Sequence, residues 1–219
     1  MKTKTKKNLL AAGILLIAFI LFTVLLRLVD VRAAGPAEAP VGFAGFNGFV
    51  FGLSGGEHLF WYDLTDWIGV VAILAAAGFA VLGLCQLISR KSFKKVDSDL
   101  YILACFYIVV AAAYVFFELC IINTRPVLLG ETPEASYPSS HTMIVLAIFS
   151  TAIMQVCSRV HSRALRTVLI LICAVLMGVT LVGRLLSGVH WATDIIGGLL
   201  LSASLVLFYR SAVSAFEIE

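Results

Sequence analysis

Charged side chains are scarce in this sequence. Asp, Glu, Lys and Arg make up 13% of the 219 residues, whereas 61% are hydrophobic, and the mean hydropathy is +1.02. Soluble domains carry roughly 25% charged residues. The composition therefore excludes a soluble globular protein and indicates an integral membrane protein.

Cysteine pairs and metal-ligand clusters are also missing. The five cysteines lie within or at the ends of apolar segments, where free cysteine behaves as a small hydrophobe: Cys85, Cys105, Cys120, Cys157 and Cys173. They form no Cys-x-x-Cys pattern, and no group of carboxylates is suited to magnesium. We therefore predict no disulfide framework, no metal and no cofactor.

Six stretches without a charged side chain are present instead. They cover residues 9–26, 67–89, 100–117, 142–158, 167–183 and 195–209. A helix needs about 20 mostly apolar residues to cross the hydrocarbon core, and these runs lack the alternation of barrel strands. We predict one all-α, polytopic membrane domain over residues 1–219, with transmembrane helices at about 9–29, 67–89, 99–121, 139–158, 166–186 and 192–210.

Lys and Arg are distributed unevenly between the two sides of the predicted membrane segments. With six crossings, 12 of the 16 fall on one side. The positive-inside rule places that side, and both termini, in the cytoplasm, with the protein in the plasma membrane. The net charge of +3 reflects this bias, so we predict no nucleic-acid partner.

The first apolar segment resembles a secretory signal, because it has a basic start and is followed by small residues at 33–35. Its apolar run is longer than the usual signal core of roughly 7 to 15 residues. Arg27 and Asp30 also intervene before any cleavage point. We interpret the segment as a retained anchor.

The longest extramembrane piece is an outer loop at about 30–66, rich in Gly, Pro, Phe and Trp. Its series Phe43, Phe46, Phe49 and Phe51 suggests a short helix in the headgroup layer, where aromatic rings are favoured. Such a helix would guide a lipid towards a site or would only pack at the interface. The sequence leaves both readings open.

Three polar clusters lie at the ends of apolar segments and face the same, outer side. The third is Arg184-x5-His190-x3-Asp194. Residues four apart share a helix face, so Asp194 can bind one imidazole nitrogen of His190 and leave the other as a nucleophile or base. The guanidinium of Arg184 is a fork of donors that suits phosphate oxygens.

The first two clusters supply anion-binding groups. Pro138 is suited to a helix start, and the backbone N–H groups at Ser139 and Ser140 would attract an anion there. His141 is then placed to donate a proton, and Arg125 adds a second guanidinium. This combination on one membrane face is what phosphoryl transfer needs for positioning and charge stabilisation.

The order and spacing of the clusters resemble the type-2 phosphatidic acid phosphatases, integral membrane lipid phosphatases related to vanadium haloperoxidases and glucose-6-phosphatase. That family carries Lys-x6-Arg-Pro, then Pro-Ser-Gly-His, then Ser-Arg-x5-His-x3-Asp. The matching stretches here are Glu118-x6-Arg125-Pro126, Pro138-Ser139-Ser140-His141 and Gly183-Arg184-x5-His190-x3-Asp194. The resemblance covers residues 67–209 most firmly.

The resemblance implies a role for each matching residue. His190 would attack phosphorus to form a phosphohistidine, Asp194 would orient it, and His141 would protonate the leaving oxygen. No metal is implied. The groups that would hold the phosphoryl oxygens are Arg125, Arg184, Ser139 and the backbone N–H of Ser140.

Three positions depart from the family pattern. Ser140 stands in place of glycine, Gly183 in place of serine, and Glu118 in place of lysine. Glu118 lies two helical turns before Arg125. We hypothesise that it orders the site by an ion pair, since a charge at this depth is usually partnered. Its candidate partners are Arg125, Arg27 and Arg32. The alternative is reduced or redirected activity.

The sequence therefore predicts a lipid phosphatase whose site faces outside or the periplasm. Its partners would be membrane lipids and a substrate of the polyprenyl pyrophosphate, phosphatidylglycerophosphate, phosphatidate or lysophosphatidate class. Oligomeric state stays open. One alternative is a lipid phosphotransferase that uses the same histidine, and another is a non-catalytic lipid-binding membrane protein.

Overall fold

The computed structural model describes residues 3–216, and six of its helices are long and apolar enough to cross a membrane. The helices are α1 Thr3–Leu25, α2 Ala44–Ser54, α3 Leu59–Arg90, α4 Ser98–Leu119, α5 Ser140–Arg159, α6 Arg163–Leu186 and α7 Ala192–Phe216. A 3-10 turn covers Phe93–Lys95, and an antiparallel pair joins β1 Arg32–Ala34 to β2 Ala39–Val41. The six-helix, all-α prediction is confirmed apart from this small hairpin.

Helices α5 and α7 form the centre of the bundle. In the most apolar stretch of each, 56% of the residues are buried, against 11–22% in the other four spanning helices. Helices α3 and α6 pack against α5, while α1 and α4 pack against α7. Both central helices begin at the end of the bundle where the polar clusters lie, so the most enclosed elements carry the candidate site.

The segment at about 30–66 is more ordered than the sequence suggested. Helix α3 begins at Leu59, so its first two turns lie in the region predicted as loop to residue 66. The short α2 forms where the phenylalanine series predicts a helix. Its buried Asn47 donates to Thr193 Oγ1 at 2.9 Å and accepts from Thr193 N at 3.1 Å. The 30–66 segment thereby fixes the first turn of α7.

Helix α1 packs against the bundle through α7 and the 120–139 connection. Thr23 Oγ1 lies 2.8 Å from Tyr137 OH, and Ser204 Oγ donates to the Ala12 carbonyl at 2.9 Å. Phe19 is buried and stacks on Tyr137. These contacts join α1 to the 120–139 connection and to α7.

The end of the bundle opposite the polar clusters is held by an ionic cluster. Arg159 at the end of α5 donates to Asp97 at 2.7 Å and to both oxygens of Asp99. Arg90 at the end of α3 also contacts Asp97 at 2.7 Å. This cluster joins three helices where the sequence predicts a cytoplasmic, basic surface.

Replacing Asp97 with asparagine is expected to lower the free energy of unfolding at pH 7 by about 1–2 kcal/mol. This value is reduced to allow for the partial exposure of the Asp97 side chain to solvent. The hydrogen bond from Arg90, followed by the one from Gln86, holds the pKa of Asp97 below its usual range. The stabilisation is therefore present above about pH 3.9, the pKa of an aspartate in the unfolded chain. It is lost as the pH falls through the lower pKa that Asp97 has in the folded protein.

Thermal unfolding in detergent at pH 7 and at acid pH measures this loss. The wild-type protein should approach the stability of Asp97→Asn as the pH falls. Glu131→Gln, which removes an exposed carboxylate at the other end, should not change the midpoint. A loss in Asp97→Asn that does not shrink at acid pH would contradict the ionic explanation.

Candidate active site

His190 lies in the short connection between α6 and α7, where it is buried beside a carboxylate. Its Nδ1 is 3.5 Å from Asp194 Oδ2, and its Nε2 is 3.4 Å from Arg125 Nη1. Asp194 is held in turn by the Trp191 N–H at 2.9 Å. A guanidinium can only donate, so Nε2 carries the lone pair and Nδ1–H faces Asp194. The ring is in the tautomer that a nucleophile needs.

The electrostatic surroundings keep this ring neutral. Burial is the largest cause, followed by the charges of Arg125 and Arg184, and together they hold the pKa of His190 well below 6.5. A protonated imidazole has no lone pair with which to attack phosphorus. The Nε2 lone pair therefore stays available at neutral pH.

The start of α5 is joined to the start of α7. Ser139 caps α5, because its Oγ accepts from Thr142 N at 3.4 Å, and its own N–H donates to the Asp194 carbonyl at 3.0 Å. Ser139 is fully buried, whereas Ser140 is half-buried and lines a small cavity with His190. The predicted anion-binding turn therefore lies beside the predicted nucleophile.

A further carboxylate, Asp66, joins the second and third clusters. Its Oδ1 is 3.1 Å from His141 Nε2 and also contacts Arg184 Nη2. The sequence prediction missed this residue, because it assigned Asp66 to the end of the outer loop rather than to α3. A carboxylate at the edge of a membrane segment usually has a cationic partner. This rule could have indicated from the sequence that Asp66 pairs with a cationic side chain.

Several polar atoms around Arg184 lack a protein partner. The side chain is fully buried and its guanidinium lies 5.3 Å from the centre of the Tyr62 ring. Within residues 3–216, Arg184 Nε, Arg184 Nη1 and His141 Nδ1 are buried without a hydrogen bond. A buried unsatisfied donor costs about 1–3 kcal/mol. The two Arg184 donors favour an anion as their partner.

The close approach of α3 also explains one departure from the family pattern. A Cβ atom at Gly183 would lie 2.6 Å from Thr65 Cγ2 and 3.2 Å from Trp61 Cε3. A serine at that position would collide with α3. The glycine therefore lets α3 approach α6 closely enough for Asp66 to contact Arg184.

The ion-pair hypothesis for Glu118 is wrong. The three arginines considered as its partners contact other groups: Arg125 Nε lies 3.0 Å from Glu134 Oε2, Arg32 Nε lies 2.7 Å from Asp30 Oδ1, and Arg27 Nη2 donates to the Ile121 carbonyl at 3.3 Å. Glu118 is exposed near the end of α4 and lines the same cavity as His190.

Metal-ligating side chains do not gather anywhere in the part of the chain that the structure describes. Residues 3–216 contain no group of three or more His, Cys, Asp or Glu side chains suited to a metal ion. The prediction of a metal-free site stays a prediction.

A solved structure shares this arrangement of helices, and a family model matches the part of the chain that carries the polar clusters. Residues 116–217, which contain all three polar clusters, match the model of the PAP2 superfamily. The fold resembles the crystal structure of a transmembrane PAP2-type phosphatidylglycerolphosphate phosphatase from Bacillus subtilis, with a TM-score of 0.62 and 15% identity over 95% of this chain and 97% of that chain. No curated protein matches the sequence. The chain is therefore a multi-pass membrane protein with the fold of a transmembrane PAP2-type protein.

Proposed function

We propose that this protein is a membrane lipid phosphatase that hydrolyses a phosphate monoester or a pyrophosphate of a lipid. The observation that carries the proposal is the environment of His190. Its Nε2 accepts from Arg125 Nη1 at 3.4 Å, and the two buried Arg184 donors that lack a protein partner belong to the same cluster of titratable groups. A nucleophile and oriented cationic donors around one space are suited to phosphoryl transfer.

In the first step, His190 Nε2 attacks phosphorus while the bond from phosphorus to the lipid oxygen breaks. Protonated His141 donates its proton to the departing oxygen. Asp194, whose Oδ2 lies 3.5 Å from Nδ1, balances the positive charge that develops on the ring. Arg125 and Arg184 stabilise the phosphoryl oxygens, together with the start of α5.

In the second step, water attacks the phosphohistidine. His141, now neutral, accepts a proton from the water, and the bond from phosphorus to His190 breaks to release phosphate. Asp66 serves as a positioning residue, because it holds the Nε2 side of the His141 ring at 3.1 Å and contacts Arg184 at the same oxygen. No step in this scheme requires a metal ion.

We also propose that the site faces outside or the periplasm and that both termini are cytoplasmic. Six spanning helices leave the two termini on one side, together with most of the Lys and Arg residues. The candidate site lies at the other end of the bundle. The positive-inside rule supports this orientation.

A panel of lipid phosphates, offered to purified protein in detergent with a chelator, tests the function. The panel includes phosphatidylglycerophosphate, phosphatidate, lysophosphatidate and a polyprenyl pyrophosphate. Release of free phosphate supports a phosphatase, whereas a phosphorylated acceptor would indicate a phosphotransferase. Activity only with added magnesium would contradict the metal-free mechanism. No turnover of any lipid would favour a non-catalytic binding protein.

Replacing Gly69 with alanine is expected to lower kcat by about 10- to 100-fold, since a misplacement of about 1 Å can cost this much. A Cβ at Gly69 would lie 2.9 Å from His141 Cδ2, so the ring has to move. Phosphate release from the best lipid substrate measures the effect. Gly78→Ala, on the same helix but with no atom within 4 Å of the new Cβ, is the matched control. Equal activities of the two variants would contradict the proposed placement of His141.

A further inference from the structure

The 120–139 connection forms a short antiparallel ladder beside the candidate site. Residues 123–125 pair with residues 134–136 through an isolated β-bridge at the middle position and a backbone hydrogen bond of 3.0 or 3.1 Å on either side of it. Side chains alternate between the two faces of an extended chain, so Asn123 and Arg125 lie on one face and Thr124 on the other. The face that brings Arg125 to the nucleophile therefore also carries Asn123.

Asn123 contacts the carboxylate that lies beside the proposed nucleophile. Its Nδ2 donates to Asp194 Oδ1 at 3.4 Å, and both side chains are buried. The other oxygen of Asp194, Oδ2, accepts from the Trp191 N–H at 2.9 Å and lies 3.5 Å from His190 Nδ1. Hydrogen bonds in catalytic sites are often long before substrate binds. Each oxygen of this carboxylate thus has a donor of its own.

Two donors are required to fix the orientation of this carboxylate. The terminal torsion of an aspartate side chain is broad, so a carboxylate held at one oxygen can still turn. A donor at the second oxygen stops that rotation and keeps Oδ2 of Asp194 beside the His190 ring. A charge stabilises a developing charge best when its position is set in advance. The Asn123 hydrogen bond provides this second point of attachment.

Filling of space does not explain an amide at position 123. Only the NH2 group can face a carboxylate, so the amide oxygen of Asn123 points away from Asp194. That oxygen is buried and has no hydrogen bond within residues 3–216, which destabilises the folded protein. A leucine of similar size would fill the same space without this cost. The donor is the feature that leucine lacks.

We propose that Asn123 is a positioning residue, which fixes the Asp194 carboxylate against the nucleophile His190. Arg125, two residues later on the same face of the ladder, is a proposed ligand of the phosphoryl oxygens. One short ladder thereby sets the place of the phosphate relative to the group that orients His190. The inference rests on the proposed phosphatase function and adds to it a residue outside the three polar clusters.

Asn123→Leu tests the inference, because it keeps the volume of the side chain and removes the donor. We expect kcat for the best lipid substrate to fall by about 10- to 100-fold, since a misplacement of about 1 Å can cost this much. KM should change by less than about threefold, because the two arginines that bind phosphate are unaltered. Thr124→Val, on the other face of the ladder, is the matched control and should keep the wild-type kcat.

Asn123→Asp gives a readout that a space-filling role would not change. At about pH 8 two carboxylates face each other and repel, so kcat should be at or below that of Asn123→Leu. As the pH falls, the pair shares one proton, which restores a donor to Asp194. The kcat of Asn123→Asp relative to the wild type should therefore rise at least about threefold from about pH 8 to about pH 5.5. The same ratio for Asn123→Leu should stay flat.

The use of ratios removes other titrations from this comparison. The ionisable side chains around Asp194, His190 and Arg125 among them, are the same in every variant, so their titration cancels. The thermal midpoint in detergent shows that each variant is folded before its kcat is compared. If Asn123→Leu does not fold, Asn123→Asp, which is of nearly the same size as the wild type, still supplies the pH readout.

Each other outcome has a separate meaning. Wild-type kcat in Asn123→Leu, or an equal loss in Thr124→Val, would overturn the positioning role. A flat ratio for Asn123→Asp would overturn it as well. These results would leave the phosphatase function intact, because the wild-type protein still releases phosphate. Failure of the wild type to hydrolyse any lipid phosphate would overturn the proposed function, and the inference with it.

Discussion

Replacing His190 with alanine is expected to lower kcat for lipid phosphate hydrolysis by at least about 10⁴-fold, in the range seen when a nucleophile is removed from an enzyme. Water would then have to attack the phosphoryl group directly, with no phosphohistidine to divide the reaction into two easier steps. Arg125 and Arg184 would still bind phosphate, so KM should change much less than kcat.

The bond between His190 and phosphorus offers a second measurement of the same prediction. A substrate labelled in the phosphoryl group should label wild-type protein during turnover, and His190→Ala should take up no label. The matched control is His161→Ala, an exposed histidine at the opposite end of the bundle. Phosphate release that persists in His190→Ala, with the thermal midpoint of the wild type, would disprove the assigned nucleophile.

The i,i+4 spacing explains why the His190–Asp194 pair was predictable. His190 lies two residues before α7 and Asp194 lies in the first turn of that helix, so the four-residue spacing still brings the carboxylate within 3.5 Å of the ring. The helix start at Ser139 was predictable for the same kind of reason, because serine caps and proline starts are local signals. Both features depend on neighbours within one turn of helix.

The contacts of Asp66 and Glu118 were not predictable in this way. Hydropathy places an aspartate outside the membrane segment, because an unpaired charge is costly in lipid. Asp66 lies within α3 instead, because Arg184 from α6 and His141 from α5 offset its charge. His141 and Arg184 lie about 75 and 118 residues after Asp66 in the chain. No local sequence pattern connects residues so far apart.

The error at Glu118 was the opposite one, because a partner was predicted that the structure does not show. Because a charge at this depth is usually partnered, the sequence analysis assigned an arginine partner to Glu118. In the structure Glu134, 16 residues later, binds Arg125 instead. The 120–139 connection folds back along the site, since Arg125 N donates to the Glu134 carbonyl at 3.1 Å. The path of this connection is set by tertiary contacts, which spacing within a helix does not predict.

Replacing Asp66 with asparagine is expected to lower kcat by about 100-fold or more, the usual contribution of a positioned acid or base. Asparagine keeps the size of the side chain but not its charge, so the His141 ring loses the carboxylate that fixes its Nε2 side. KM should change by less than about threefold, because binding and protonation are separate interactions. The kcat and KM of the best lipid substrate measure this split.

Asp66 also compensates a guanidinium that is fully buried. Removing one partner of a buried ion pair costs about 3–5 kcal/mol, and because 37% of the Asp66 side chain is exposed we expect about 2–3 kcal/mol here. The thermal midpoint in detergent should fall accordingly. Asp63→Asn, one turn earlier on α3 and exposed, should change neither the midpoint nor kcat.

A double-mutant cycle separates positioning from simple destabilisation. If Asp66 acts on turnover through His141, Asp66→Asn should cost little kcat in a His141→Ala background, whereas a purely structural effect would add in full. Asp66→Glu should recover part of the lost kcat, since it restores the carboxylate on a longer side chain. Full additivity in the cycle, with no recovery in Asp66→Glu, would contradict the positioning role and leave Asp66 as a structural partner of Arg184 alone.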